Sequence, residues 1–247
     1  MKLKKIKNAL LVTLSLALVA AASVAITYAI GDSQSFGDKT NEFKEGNITA
    51  TLTEVHWDGV KGNPTGSEED PTVATADQGK TKADSYTPGQ IIPKDPKVNN
   101  TNTKDISEYV GIKVAYTATI NGTEYTYYTK TQFETAIAKL CNTAAGAEGL
   151  CSGWSGNDDG THFYYSAPVA YGKASGPLFN HVKINSFDTG TTKKYKVKTY
   201  ASKTADAVDV ETDELPTFNI ILTGYAISAD GSPTAAEVQT ALENLMA

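Results

Sequence analysis

Arginine is absent from this chain of 247 residues, so all 22 of its basic residues are lysine. Without the planar guanidinium fork there is no bidentate grip on phosphate or carboxylate, which argues against a phosphate-binding enzyme. Histidine is scarce as well: His56, His162 and His181 stand far apart, at no zinc-ligand spacing, and two cysteines cannot complete a metal set. No G-x-S-x-G elbow, H-E-x-x-H helix, glycine-rich phosphate loop or dinucleotide fingerprint occurs, and Ser152–Gly156 reads as a loop. The sequence therefore assigns no catalytic residue, no metal and no cofactor. A net charge of −6 argues against nucleic acid as a partner.

What the chain does have begins at its N-terminus. Lys2, Lys4, Lys5 and Lys7 precede an uncharged apolar run over residues 9–26, and Thr27-Tyr28-Ala29 leads into a polar stretch. This is the basic, apolar and small-residue order of a secretory signal, here residues 1–29 with cleavage between Ala29 and Ile30. The alternative is an uncleaved membrane anchor, since the apolar run approaches the length of a span. Either way the remainder is expected outside the cytoplasm, secreted or at the cell surface. Loss of the four leader lysines takes the net charge from −6 to −10. In such an oxidising compartment Cys141 and Cys151 read as a local disulfide worth up to about 3 kcal/mol.

The rest is β-rich in pattern and long enough for one domain, residues 47–247, behind an N-terminal segment at 30–46. Ile48, Ala50 and Leu52 alternate with threonines as in a half-buried strand. From about 61 to 85 Gly, Pro, Thr, Ser and acids follow without periodicity, which predicts a flexible insertion. Thr87-Pro88-Gly89-Gln90 is a turn, and Pro93 and Pro96 place 91–98 at a sheet edge. Alternation from Val110 to Tyr116, Asn121-Gly122 and the run at 124–128 predict a two-residue hairpin. Further strands are expected at 163–166, 181–187, 195–201 and 217–227.

Two capping boxes predict helices. Thr131-x-x-Glu134 begins a short one running to about Cys141, with Phe133, Ile137 and Leu140 on one face. Thr234-x-x-Glu237 begins a C-terminal amphipathic helix whose stripe is Ala235, Val238, Ala241, Leu242 and Leu245. Asn157-Asp158-Asp159-Gly160 and Asp230-Gly231 are acidic turns that do not fit the twelve-residue calcium loop. His56 and His181 read as surface or core fillers.

Several segments together resemble the TasA and camelysin family of exported Gram-positive biofilm-matrix proteins. They are Thr27-Tyr28-Ala29 before Ile30-Gly31-Asp32, Phe43-Lys44-Glu45-Gly46-Asn47-Ile48, Tyr86 to Gln90 with Pro93 to Asn100, and Pro177-Leu178-Phe179-Asn180-His181-Val182-Lys183-Ile184. Thr103 departs from the pattern, standing after Asn102 where the family often has glycine. The resemblance implies a jelly-roll β-sandwich that is a structural subunit rather than an enzyme. Its partners would be further copies of itself, related matrix subunits and the signal peptidase that releases it. Copies would join by donating Ile30–Thr40, with Ile30 and Phe36 as its large apolar residues, as an added strand. Two other readings stand beside this one. The first is a camelysin-like secreted metalloendopeptidase. The second is a monomeric adhesin using Tyr125, Tyr127, Tyr164 and Tyr165.

Overall fold

The computed structural model describes residues 28–29, 41–45, 48–63, 66–69, 74, 77–102, 105–229 and 233–247. In chain order its elements are β1 (Tyr28–Ala29), β2 (Asn41–Glu45), β3 (Ile48–Thr53), α1 (Val55–Asp58), β4 (Val60–Asn63), β5 (Gly66–Glu69), α2 (Gly79–Ala83), β6 (Ile91–Pro93), β7 (Lys97–Asn100), β8 (Glu108–Ile120) and β9 (Thr123–Tyr127). There follow α3 (Lys130–Ala136), β10 (Ala138–Cys141), β11 (Trp154–Gly156), β12 (His162–Tyr165), β13 (His181–Ile184), β14 (Tyr195–Thr199), β15 (Val208–Thr212), β16 (Thr217–Ser228) and α4 (Ala235–Met246). Strands dominate, in antiparallel sheets, and the architecture is β-sandwich-like with a short C-terminal helix.

The longest ladder joins β8 to β16, from Glu108 opposite Ser228 to Thr119 opposite Thr217. On its other side β8 pairs first with β12 and then with β9, while β11 adds outside β12. The β8–β9 connection is the two-residue hairpin expected: Asn121 and Gly122 have φ of 50° and 77°, the positive pair that such turns demand. A second sheet runs β1-β2-β3-β7 and a third β10-β13-β6. Both proline-flanked strands lie at sheet ends, β6 beside β13 and β7 beside β3, where a missing ladder donor is tolerated.

One apolar core draws on all three sheets. Alternate residues Val110, Ile112, Val114, Tyr116, Ala118 and Ile120 of β8 are buried, as are Phe218, Ile220 and Leu222 of β16. They share a cluster with Ile48, Ala50 and Leu52 of β3, Ile92 of β6, Val98 of β7 and Val182 of β13. Each fully buried large aliphatic side chain of this set contributes about 1.5–3 kcal/mol. The opposite face of the five-stranded sheet is covered at one end by α4, where Val238, Leu242, Leu245 and Met246 pack with Tyr164, Tyr225 and Ile227. Gly111 permits this approach, since a Cβ there would stand 3.0 Å from Met246 Cε and from the Phe163 carbonyl. The α4 capping box is formed as expected, whereas Ala235 of the expected stripe is exposed.

Three expectations need correction. The first concerns 61–85, read as lacking regular structure: it contains the β4–β5 hairpin and α2. Gly79 anchors the latter, because any Cβ there would fall 1.8 Å from the Pro93 carbonyl oxygen and 2.7 Å from the Trp57 ring. The second concerns the helix expected from Thr131 to about Cys141. It is capped by Thr129, whose side chain accepts from the Gln132 amide, and it ends at Ala136. Glu134, assigned to the cap, instead accepts from the Leu140 amide at 3.0 Å and the Lys130 ammonium at 2.6 Å. The chain beyond is β10, paired along its length with β13. The third concerns β3, which is buried on both faces rather than half-buried, with Thr51 7% and Thr53 1% exposed. In addition, residues 41–45 of the N-terminal segment belong to the domain itself, as β2.

Candidate functional site at the N-terminal sheet

The sheet β1-β2-β3-β7 brings together most of the segments singled out in the sequence. Ala29 lies in β1, opposite Phe43 of β2, with Tyr28 opposite Lys44. Ile30 and Phe36 lie outside the described residues. From Asn41 opposite Leu52 to Glu45 opposite Ile48, β2 pairs with β3, whose other side pairs with β7.

Beneath this sheet edge runs a seam of buried asparagines. Asn99 Nδ2 donates to Thr53 Oγ1 at 2.7 Å and to the Thr51 carbonyl at 3.2 Å, which is why the threonine face of β3 is closed to water. Asn100 Nδ2 donates to the Ile106 and Val169 carbonyls at 2.7 and 2.9 Å. Its Oδ1 accepts from the backbone and side-chain nitrogens of Asn102 at 3.1 and 2.8 Å. Asn102 in turn accepts from the Thr49 amide at 2.6 Å and donates to Glu108 Oε2 at 3.1 Å. Asn102 and Glu108 are fully buried, and among the described residues Glu108 Oε1 has no hydrogen-bond partner. Burial pushes the Glu108 carboxyl up to about 8, only partly offset by the Asn102 hydrogen bond. Near neutrality it is therefore a carboxylic acid.

A second buried polar group follows β3. Lys94 Nζ lies 2.7 and 2.9 Å from the two Glu54 oxygens and 4.6 Å above the Trp57 ring. Lys94 is fully buried and Glu54 nearly so. Desolvation raises the Glu54 pKa and lowers that of Lys94, while their mutual attraction opposes both shifts. Next to it Asp95 accepts from the His56 amide at 2.7 Å and contacts His56 Nδ1 at 2.9 Å. His181, at the start of β13, is lowered by its own burial and by His56, and raised by Asp95. Two of the three histidines thus lie near one carboxylate, whereas His162 sits on β12. Among the described residues no three His, Cys, Asp or Glu side chains are grouped so as to hold a metal ion.

Cys141 and Cys151 are free thiols rather than the expected disulfide. Each sulfur faces a different partner. The Cys141 thiol turns back toward the Lys139 carbonyl at 3.6 Å, while the Cys151 sulfur is 3.2 Å from Asn180 Nδ2. Burial raises both thiol pKa values. The tyrosines expected to make one adhesive face do not share one: Tyr127 is buried in the main core and Tyr164 lies beneath α4, where it donates to Glu243. A cleft of about 450 Å³ opens between α2 and the start of β16, with Ala83, Tyr86, Pro216 and Phe218 in its walls. The Tyr86 hydroxyl closes one side by donating to the Pro216 carbonyl.

Sequence reasoning missed Glu108 and Glu54 as buried ionisable groups. For Glu108 a signal was present, an acid at the entry of a strongly alternating strand two residues before Val110. No family model, curated protein or solved structure matches this chain. Among the described residues no helix is long and apolar enough to cross a membrane.

Proposed function

We propose that this chain is a secreted structural subunit of an extracellular, biofilm-type matrix, similar to the TasA and camelysin proteins, and that its copies join by exchange of an N-terminal strand. The observation that carries the reading is the place of residues 28–29: β1 lies at the end of a sheet, in antiparallel register with β2. A strand at that position is held by main-chain hydrogen bonds, which a strand from another chain can supply equally well. The layout beneath favours the same use. Within the segment that resembles the family, Lys94 contributes to the buried ion pair that follows β3, and Asn99 ties β7 to β3 through its side-chain amide. Electron microscopy tests the proposal. Protein beginning at Ile30 is expected to form fibres, and protein lacking Ile30–Thr40 to remain monomeric. Fibres of equal length from both would refute it.

A further inference from the structure

We propose that Lys94 and Glu54 condense to an internal amide, a covalent bolt between the sheet that holds β3 and the sheet that holds β6. The proposal concerns the interior of the domain and stands independently of how copies of the chain join.

Place and contact both favour the bond. Glu54 directly follows β3, and Lys94 directly follows β6, so the pair bridges two sheets that share no ladder. Lys94 Nζ stands 2.7 Å from one Glu54 oxygen and 2.9 Å from the other, which sets the nitrogen against the carboxyl group as a whole rather than beside one oxygen. Lys94 is 0% exposed and Glu54 3%, and the Trp57 ring lies 4.6 Å from Nζ, so bulk water is kept from the contact. As charges the two gain little from this arrangement, because their attraction has to offset the desolvation of an ammonium and a carboxylate. Burial weights each toward its neutral form, pushing the Glu54 carboxyl up to about 7 and lowering the Lys94 ammonium, although their mutual attraction opposes both. A desolvated lysine amine is a nucleophile, and a protonated carboxyl is the partner it can acylate on. The charges of Asp95 and Asp58 act on both groups in the sense that keeps a proton within the pair.

The step balances without oxidant or co-reactant. The Nζ lone pair attacks the Glu54 carboxyl carbon, the new N–C bond forms, and the bond from that carbon to its hydroxyl oxygen breaks. The hydroxyl takes one proton from Nζ and leaves as water, so an amine and an acid become one secondary amide. Groups held at contact react as though present at about 10⁵ M or more, which brings within reach a condensation that free amines and acids hardly undergo in water. Loss of the released water from a closed site then opposes hydrolysis. The two residues are 40 positions apart and meet only in the native packing, so newly folded protein holds the pair unlinked and closure follows. The resulting ring contains α1, the β4–β5 hairpin and α2.

Mass spectrometry of the purified chain, read at intervals after folding, tests the proposal. A fraction that rises with time is expected to weigh one water less than the linear sequence. Trypsin should release from it a branched peptide joining 45–61 to 83–97, uncut after Lys94. Unchanged mass after prolonged incubation, with the peptide that ends at Lys94 recovered in full, would overturn the proposal. Loss of water without the branched peptide would do the same, because the dehydration would then lie elsewhere. The double variant Lys94→Met, Glu54→Leu removes both reacting groups while keeping the site filled, and it should retain its full mass. If it loses the same water, the assignment to this pair is wrong.

Discussion

Replacing Glu108 by glutamine should make the protein less sensitive to alkaline conditions. The carboxyl is fully buried, with one oxygen bonded to Asn102 and the other without a partner among the described residues, and its pKa is raised from 4.5 to about 8. Between those two values the folded chain holds a proton that the unfolded chain has released, so the native state binds more protons and stability falls as pH rises. The contribution is whole below the unfolded value and gone above the folded one. At about 1.36 kcal/mol per pH unit the displacement corresponds to at most about 5 kcal/mol, and local relaxation with water entry lowers the expected loss to about 2–5 kcal/mol. Glutamine preserves the acceptor for Asn102 Nδ2 and cannot ionise. Urea unfolding of both proteins at pH about 5 and about 8 isolates the effect, because every other titrating group is common to them. With a slope near 2 kcal/mol per molar urea, the wild-type midpoint should fall relative to the variant by about 1–2 M over that interval. Parallel midpoints would show that Glu108 is not buried as a neutral acid.

Other outcomes follow from the same contacts and are read by the same unfolding assay. Lys94→Met should destabilise by about 3–5 kcal/mol, because Glu54 then remains buried without its cation, and adding Glu54→Leu should recover most of the loss. Asn100→Ala should cost about 2–4 kcal/mol, since it strands the carbonyl of Ile106, leaves that of Val169 with the Glu108 amide alone, and releases Asn102. Gly79→Ala should cost about 1–3 kcal/mol or more through overpacking against Pro93 and Trp57, and it should loosen proteolytic resistance around 61–85 first. Thr234→Ala should cost about 1 kcal/mol by opening the α4 cap, leaving the five-stranded sheet intact by circular dichroism.

Local chemistry made much of this architecture legible. Asn121-Gly122, the alternation through β8, the Thr234 cap and the prolines around β6 each act over a few neighbouring residues, and each is realised in the fold. Where distant residues decide, local pattern failed. Thr131-x-x-Glu134 has the form of a capping box, but the Leu140 amide and the Lys130 ammonium compete for its carboxylate, and β13 draws 138–141 into a ladder. The threonines of β3 alternate as a wet face does, and only the later asparagines close them off. The candidate site was legible in outline, since the segments around Ala29, Phe43 and Lys97–Asn100 do share one sheet. Its buried ionisable groups were not, because Glu54 and Lys94 are forty positions apart and nothing in either segment announces the other.

The asparagine seam has a mechanical consequence. A pull delivered along β2 passes into β3, and Thr49, Thr51 and Thr53 hand it through amide side chains to β7, to the carbonyls of 106 and 169, and to β8. The load is borne in shear by many bonds at once, not peeled from them in turn, so rupture under tension should be slow even where equilibrium stability is ordinary.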